Sequence, residues 1–259
     1  MKQEKVIDLR GRRMGGPTPL ICSPLVARTP ERLAAETAAV LAKRPDVIEW
    51  RVDFFEPIAD TASVLAAGRA MRSAAGETPI IFTCRAQHEG GQAIALDADG
   101  IARLYDAVGG AGLVDLIDFE LSNPAALVRR VRERSREHKT RLILSYHNFG
   151  YTPARDLLVE RFLEADRLGA DVAKVAAMPR DREDVITLLA ATAIADAKAR
   201  IPLISMSMGP LGAATRMVGG VFGSSLSFAI GEGASAPGQM PIADLVAVFG
   251  ALARARGES

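Results

Sequence analysis

The chain has 259 residues, 49% of them apolar, and a formal net charge of +1. This length suits one large α/β domain or two small ones, and the apolar share excludes a disordered chain. A near-neutral balance, 5% aromatic residues and no basic arm give no footing for charge-driven binding to nucleic acid or to anionic lipid.

The stretch Met1–Lys5 lacks an apolar h-region, so no secretory signal is expected. No uncharged apolar run reaches bilayer length, so no membrane association is expected either. Residues 5–14 alternate briefly and then reach a glycine, and we read residues 1–18 as a small hairpin cap of the domain that follows. Cys22 and Cys84 lie in separate apolar runs without paired spacing. They read as free, buried thiols in a reducing compartment, and cytoplasmic residence is expected.

A rhythm then begins. Short apolar, β-branched runs fall at Leu20–Ser23, Val47–Arg51, Ile80–Cys84, Leu113–Asp118, Arg141–Tyr146, Val172–Ala177, Leu203–Met206 and about Val221–Phe228. Most starts are about 27–33 residues apart, the length of one βα unit. Helical stripes lie between them. Pro30–Arg44 aligns Leu33, Thr37, Val40, Leu41 and Arg44, a mostly apolar face; Asp181–Ala199 aligns Val185, Leu188, Leu189 and Thr192; Ile242–Ala253 aligns Leu245, Val248, Phe249 and Leu252. These are 3.6-residue periods. Thr29-Pro30, Asn123-Pro124 and Thr152-Pro153 each read as a capping side chain before a first-turn proline. Eight such units predict an α/β protein, a (β/α)8 TIM barrel forming a single domain over residues 1–259. An open doubly wound sheet is the alternative, but Ser23-Pro24-Leu25-Val26 is not its glycine-rich first turn.

In a barrel, chemistry gathers at the C-terminal strand ends. The first predicted strand ends at Ser23. The second ends Glu49-Trp50-Arg51-Val52-Asp53, where alternation puts Glu49, Arg51 and Asp53 on one face. The third ends at Arg85, followed by His88, Glu89 and two glycines; the fourth ends Asp118-Phe119-Glu120. Arg85 suits an anion contact, Asp118 and Glu120 read as carboxylates that assist the site or, the favoured reading, pair structurally with Arg51 or Arg85, and His88 reads as solvent-facing. The fifth strand ends Ser145-Tyr146-His147-Asn148, and His138 marks a helix end. The seventh leads to a glycine-rich run, Gly209–Gly223, containing Arg216, a second candidate for anion binding. Such a run also resembles the phosphate-binding region of many barrels. Last comes a small-residue loop, Gly231–Gln239, with Ser235 and Gln239 as hydrogen-bonding side chains. It reads as a linker or as a lid over a polyhydroxylated ligand.

The sixth strand, Val172–Ala177, carries Lys174 at its middle. A lysine in an apolar strand either reaches outward to water or is chemically employed. His147 on the preceding strand favours employment, because the two strand ends are neighbours in a barrel. No two histidines stand at ligand spacing, so neither a metal nor a cofactor is expected. An amine, an imidazole and arginines are the equipment for Schiff-base chemistry on a keto acid.

The segments Glu49–Asp53, Phe82–Arg85, Glu89-Gly-Gly91, Ser145–Phe149, Ala173–Ala176, Met178-Pro179, Ser205–Met208 and Ala234–Gln239 occur in an order and spacing that resemble the type I 3-dehydroquinate dehydratases. These are Schiff-base dehydratases of the shikimate pathway, and the resemblance runs end to end. It implies dehydration of 3-dehydroquinate, with Lys174 forming an imine, His147 moving the proton and Glu89 assisting the histidine. Arg216 matches the carboxylate-binding arginine. Ser23, Glu49, Arg51, Arg85, Ser235 and Gln239 match positions that hold ring hydroxyls, the carboxylate or the closed lid. The residue after the histidine is aspartate in some members and Asn148 here, which removes one charge and keeps the histidine. The resemblance further implies a homodimer and no fused second enzyme. A Schiff-base aldolase-type lyase on a sugar phosphate and a non-catalytic barrel binding a small carboxylate are the rival readings.

Overall fold

The computed structural model describes residues 5–257, so the first four residues of the expected 1–18 cap lie outside the described residues. The cap is an antiparallel hairpin of β1 (Ile7–Leu9) and β2 (Arg12–Met14). Eight parallel strands follow: β3 (Leu20–Leu25), β4 (Val47–Arg51), β5 (Ile80–Thr83), β6 (Leu116–Glu120), β7 (Arg141–Asn148), β8 (Val172–Ala177), β9 (Leu203–Ser207) and β10 (Leu226–Ile230). They neighbour one another in chain order, and β10 pairs back onto β3. The sheet curls shut where Leu203 bridges Ser224 and accepts the Ser225 N–H at 2.7 Å. A two-residue β11 (Met240–Pro241) adds to β10. The connecting helices are α1 (Pro30–Ala42), α2 (Thr61–Ala75), α3 (Ala98–Gly110), α4 (Ala125–Glu137), α5 (Arg155–Arg167), α6 (Arg182–Lys198) and α7 (Gly209–Val218), and α8 (Ile242–Ala255) closes the chain. No helix among the described residues is long and apolar enough to cross a membrane.

Alternation explains the layering. Outward residues such as Ile48, Trp50, Phe82, Phe119 and Leu144 pack under the helices. Inward residues Val47, Ile81, Leu116, Ile143, Val172, Ile204 and Leu226 fill the lower barrel, where Leu9 and Met14 of the hairpin join them. Two residues further up, the inward positions become Glu49, Thr83, Asp118, Ser145 and Lys174, all buried. The apolar floor thus supports a polar layer, and that layer opens toward the C-terminal strand ends.

The expected α1 start holds, with Thr29 Oγ1 accepting from Arg32 N. The other two caps differ. α4 starts after Pro124 and α5 after Ala154, neither with a side-chain cap. Asn123 turns back to Glu120, and Thr152 donates to the Met178 carbonyl. One of these contacts is local and the other crosses to the loop after β8, and neither side chain caps the helix that follows. The eighth strand is also later than expected: residues Gly219–Phe222 form a 3-10 turn and β10 starts at Leu226.

Candidate active site

Lys174 is central. It is 5% exposed, and Nζ donates to Asp118 Oδ2 at 2.8 Å, lies 3.8 Å from Glu49 Oε1 and sits 4.6 Å above the Phe228 ring centroid. Asp118 also accepts from Ser145 Oγ (2.6 Å) and Arg85 Nη2 (2.8 Å). Burial alone would raise the Asp118 carboxyl, but Arg85 and Lys174 hold it well below the usual range. Asp118 therefore pairs with Arg85, as one of its two expected readings had it, and is also the direct partner of the amine. Glu49 takes the Thr83 hydroxyl at 2.8 Å.

His147 extends from β7, the neighbour of β8. Ser145 is paired with Lys174 and His147 with Ala176, so the imidazole stands on the inward face two residues above the amine. Beside the ring Ala176 offers only a methyl group, which leaves room for a ligand. Glu89 Oε2 receives both the His147 backbone N–H (3.0 Å) and its Nδ1 (2.9 Å). With the Nδ1 proton held there, Nε2 is the available base. Burial, with Arg85 and Lys174 nearby, pushes the imidazole well below its ordinary value, so it is neutral and ready to accept a proton. Burial also pushes the Glu89 carboxyl up, to about 7, against Arg85 and the Ser122 hydroxyl, which lower it. Asn148 does not touch this pair; its Oδ1 accepts from Gly150 N and Tyr151 N, each at 3.0 Å, and shapes the loop.

The arginines divide sharply. Arg85 is occupied by Asp118 and by Glu120 at 2.9 Å. Arg51 makes a bidentate pair with Asp53, both contacts at 2.8 Å, and donates to the Ser235 carbonyl at 3.3 Å. Asp53 is not on the strand as alternation had suggested; the 3-10 turn Val52–Phe54 folds it back onto Arg51. Arg216, 2% exposed, faces no carboxylate among the described residues. Its contacts are the carbonyls of Pro237 (3.1 Å) and Phe228 (3.5 Å) and the Met206 sulfur, and its Nε has no partner. Burial lowers its guanidinium to about 10. A buried cation without an anion is costly, and its charge is left open to an anionic partner.

The loop after β10 closes the top. Gln239 Oε1 accepts Ser235 N at 3.0 Å and its Nε2 reaches Ser235 Oγ at 3.3 Å. Pro237 O takes the N–H of Gly209, the first residue of α7, so the helix start proposed as a phosphate cradle is capped by the loop. A small cavity results, lined by Lys174, His147, Glu89, Glu49, Arg51, Arg85, Ser235 and Gln239. Ser23 and Arg216 are not among the lining residues; the Ser23 hydroxyl is buried without a partner. Phe149, Met206, Met208 and Phe228 also line it and were not singled out from sequence. Their apolar side chains read as ordinary core, and only the register places them at the mouth.

Barrels that set a buried amine beside an oriented, neutral imidazole form imines with carbonyl substrates, and this geometry defines a Schiff-base enzyme. The family model for type I 3-dehydroquinase matches residues 21–255, and the chain belongs to that family; it is a hydro-lyase. The 3-dehydroquinate dehydratase of Albidiferax ferrireducens is 52% identical over 259 residues, covering 100% of this chain and 98% of that one. The crystal structure of the Geobacillus kaustophilus 3-dehydroquinate dehydratase superposes with a TM-score of 0.95 at 43% identity, covering 96% of this chain and 97% of the other. The type I enzyme of Clostridium difficile, solved with covalently modified comenic acid, gives 0.94 at 32% identity, covering 98% and 100%.

Proposed function

We propose that the chain removes water from 3-dehydroquinate to give 3-dehydroshikimate, with Lys174 as the imine-forming residue. The observation that carries this reading is that Lys174 and His147 face one cavity from paired strands. Lys174 Nζ adds to the C3 ketone and a water leaves. The resulting imine withdraws electrons and acidifies C2. His147 Nε2 takes a C2 proton while Glu89 holds Nδ1–H. The same proton passes to the C1 hydroxyl, which departs as water. Hydrolysis then consumes one water and returns the free amine, so the net change is loss of a single water. Arg216 binds the substrate carboxylate. Ser23, Glu49, Arg51 and Arg85 position the ring hydroxyls, and Ser235 and Gln239 close the loop over them.

The reading places this activity in the shikimate route to chorismate and aromatic amino acids, in the cytoplasm, on a single barrel domain over residues 1–259 that works as a homodimer. Two buried free thiols support a reducing compartment. Light scattering on the purified protein tests the dimer. Incubation with 3-dehydroquinate and borohydride tests the chemistry: ligand mass should be fixed on Lys174, and an adduct elsewhere, or none, rejects the mechanism.

A further inference from the structure

We propose that Ser122 is a positioning residue for the dehydration: by donating to Glu89, its hydroxyl keeps that carboxylate an acceptor for His147 Nδ1–H and so leaves Nε2 as the base. The inference rests on the reading of His147 as the proton-moving residue and extends it beyond the groups facing the cavity.

Ser122 lies just past the end of β6. Its Oγ donates to Glu89 Oε1 at 2.7 Å, while Glu89 Oε2 takes both donors of His147. The two carboxylate oxygens thus divide their work, one held by serine and one holding the histidine. Every polar contact on Glu89 favours the ionised form. Its charged surroundings come from four elements. Arg85 at the end of β5 is attractive, Glu120 at the end of β6 is repulsive, and His147 on β7 is the partner. His88, on the same 3-10 turn as Glu89, is exposed, with Nε2 3.9 Å from Glu89 Oε1 and 3.4 Å from Ser122 Oγ. Burial opposes ionisation and leaves the Glu89 carboxyl near neutrality, at about 7. The Ser122 hydrogen bond, second to Arg85 among the groups that lower this carboxyl, therefore bears on how much of Glu89 is ionised at working pH.

The consequence for His147 is a matter of donors and acceptors. An ionised Glu89 can only accept, so Nδ1 must carry the proton. A protonated Glu89 can donate to Nδ1, which moves the ring proton to Nε2 and removes the base. Loss of the Ser122 hydroxyl shifts Glu89 toward the protonated form, so catalysis should fail at a higher pH than in the parent. Ser122 is an exposed residue, and its truncation removes no core packing.

The test compares pH–rate profiles of the parent, Ser122→Ala and Ser122→Thr. The acid limb of kcat/KM should move up by about one pH unit in Ser122→Ala, approach the parent rate on the alkaline side, and return to the parent position in Ser122→Thr. Nitrogen-15 NMR of His147 at pH 7 should show the Nε2–H tautomer gaining in Ser122→Ala. A rate lowered by one factor at all pH values, or an unmoved limb with an unmoved tautomer, overturns the proposal. Borohydride trapping and His147→Ala kinetics on the parent run alongside. If those fail, the underlying reading fails; if they succeed while the limb stays fixed, only the role of Ser122 is lost.

Discussion

Lys174 Nζ donates to Asp118 Oδ2 at 2.8 Å, although the two residues are 56 positions apart in the chain. The same carboxylate is gripped by Arg85 and Ser145 from the flanking strands. The amine is thus positioned by a group that is itself fixed on three sides. Replacing Asp118 by Asn leaves Arg85 and Lys174 buried with one fewer negative charge. Breaking a buried pair in this way costs about 3–5 kcal/mol. Thermal unfolding of Asp118→Asn should show a clear drop in Tm, and imine trapping on Lys174 should slow. An unchanged Tm would show that the carboxylate contributes nothing to holding the layer.

Arg216 gives the opposite case, a buried cation whose only fixed partners among the described residues are carbonyls and a sulfur. Arg216→Met keeps the bulk and removes the charge. In the absence of ligand its stability should match or exceed the parent, because an uncompensated ion has been deleted. KM should rise by on the order of 100-fold, the scale of a lost charge-assisted pair. Arg216→Lys should recover only part of this, since an ammonium cannot make two parallel contacts with a carboxylate. Steady-state kinetics with calorimetry on the three proteins checks the set.

His147→Ala should retain some imine formation on Lys174 yet turn over about 10²–10⁴-fold more slowly, the usual span for a lost general base. Borohydride trapping and turnover measured on the same preparation separate the two effects. Turnover equal to the parent would remove the histidine from the scheme.

Glu89 also makes stability depend on pH. Its folded-state value, about 7, lies above the ordinary carboxyl value of 4.5. Between those values the folded chain binds more protons than the unfolded one, so stability falls as pH rises through that window. Glu89→Gln has no such titration. Relative to the parent it should gain stability between pH 5 and pH 8, by on the order of 1–3 kcal/mol. Denaturant titrations at the two pH values measure the difference, and an equal gap at both would contradict the assignment.

Gly238 has φ +78°, and a Cβ there would fall 2.2 Å from the Gly209 carbonyl oxygen. Gly238→Ala should push the loop off α7 and break the Pro237 contacts with Gly209 and Arg216, leaving the barrel intact. About a tenfold rise in KM with a near-normal Tm is expected.

Much of this site was legible because strand alternation is a local property. Lys174, Glu49 and Arg51 could be placed at the top of a barrel from spacing alone, and the β8 bounds agree with the expected Val172–Ala177. What a residue touches across the barrel is not local. Asp118 read as a partner for arginine, which is half of its role; its contact with Lys174 depends on the closure of the sheet. Arg85 and Arg216 looked equivalent as anion contacts, and only the positions of Asp118 and Glu120 separate the occupied guanidinium from the open one. Ser122 attracted no notice, since an exposed serine after a strand carries no pattern. Asn123 and Thr152 looked like helix caps because the dipeptides fit, while Asn123 turned back to the Glu120 carbonyl and Thr152 reached across to that of Met178.

The small β11 has a consequence for how the loop over the cavity is anchored. Ala229 pairs with Met240 and Ile230 with Pro241, so the segment 231–239 leaves and returns at adjacent strands, about 5 Å apart. The folded barrel has already fixed both ends of this tether, and loop-closure entropy no longer varies with ligand occupancy. What holds the loop at the crown is a small set of contacts, from Arg51 to the Ser235 carbonyl and from Arg216 and the Gly209 N–H to the Pro237 carbonyl, separate from the strand pairing beneath.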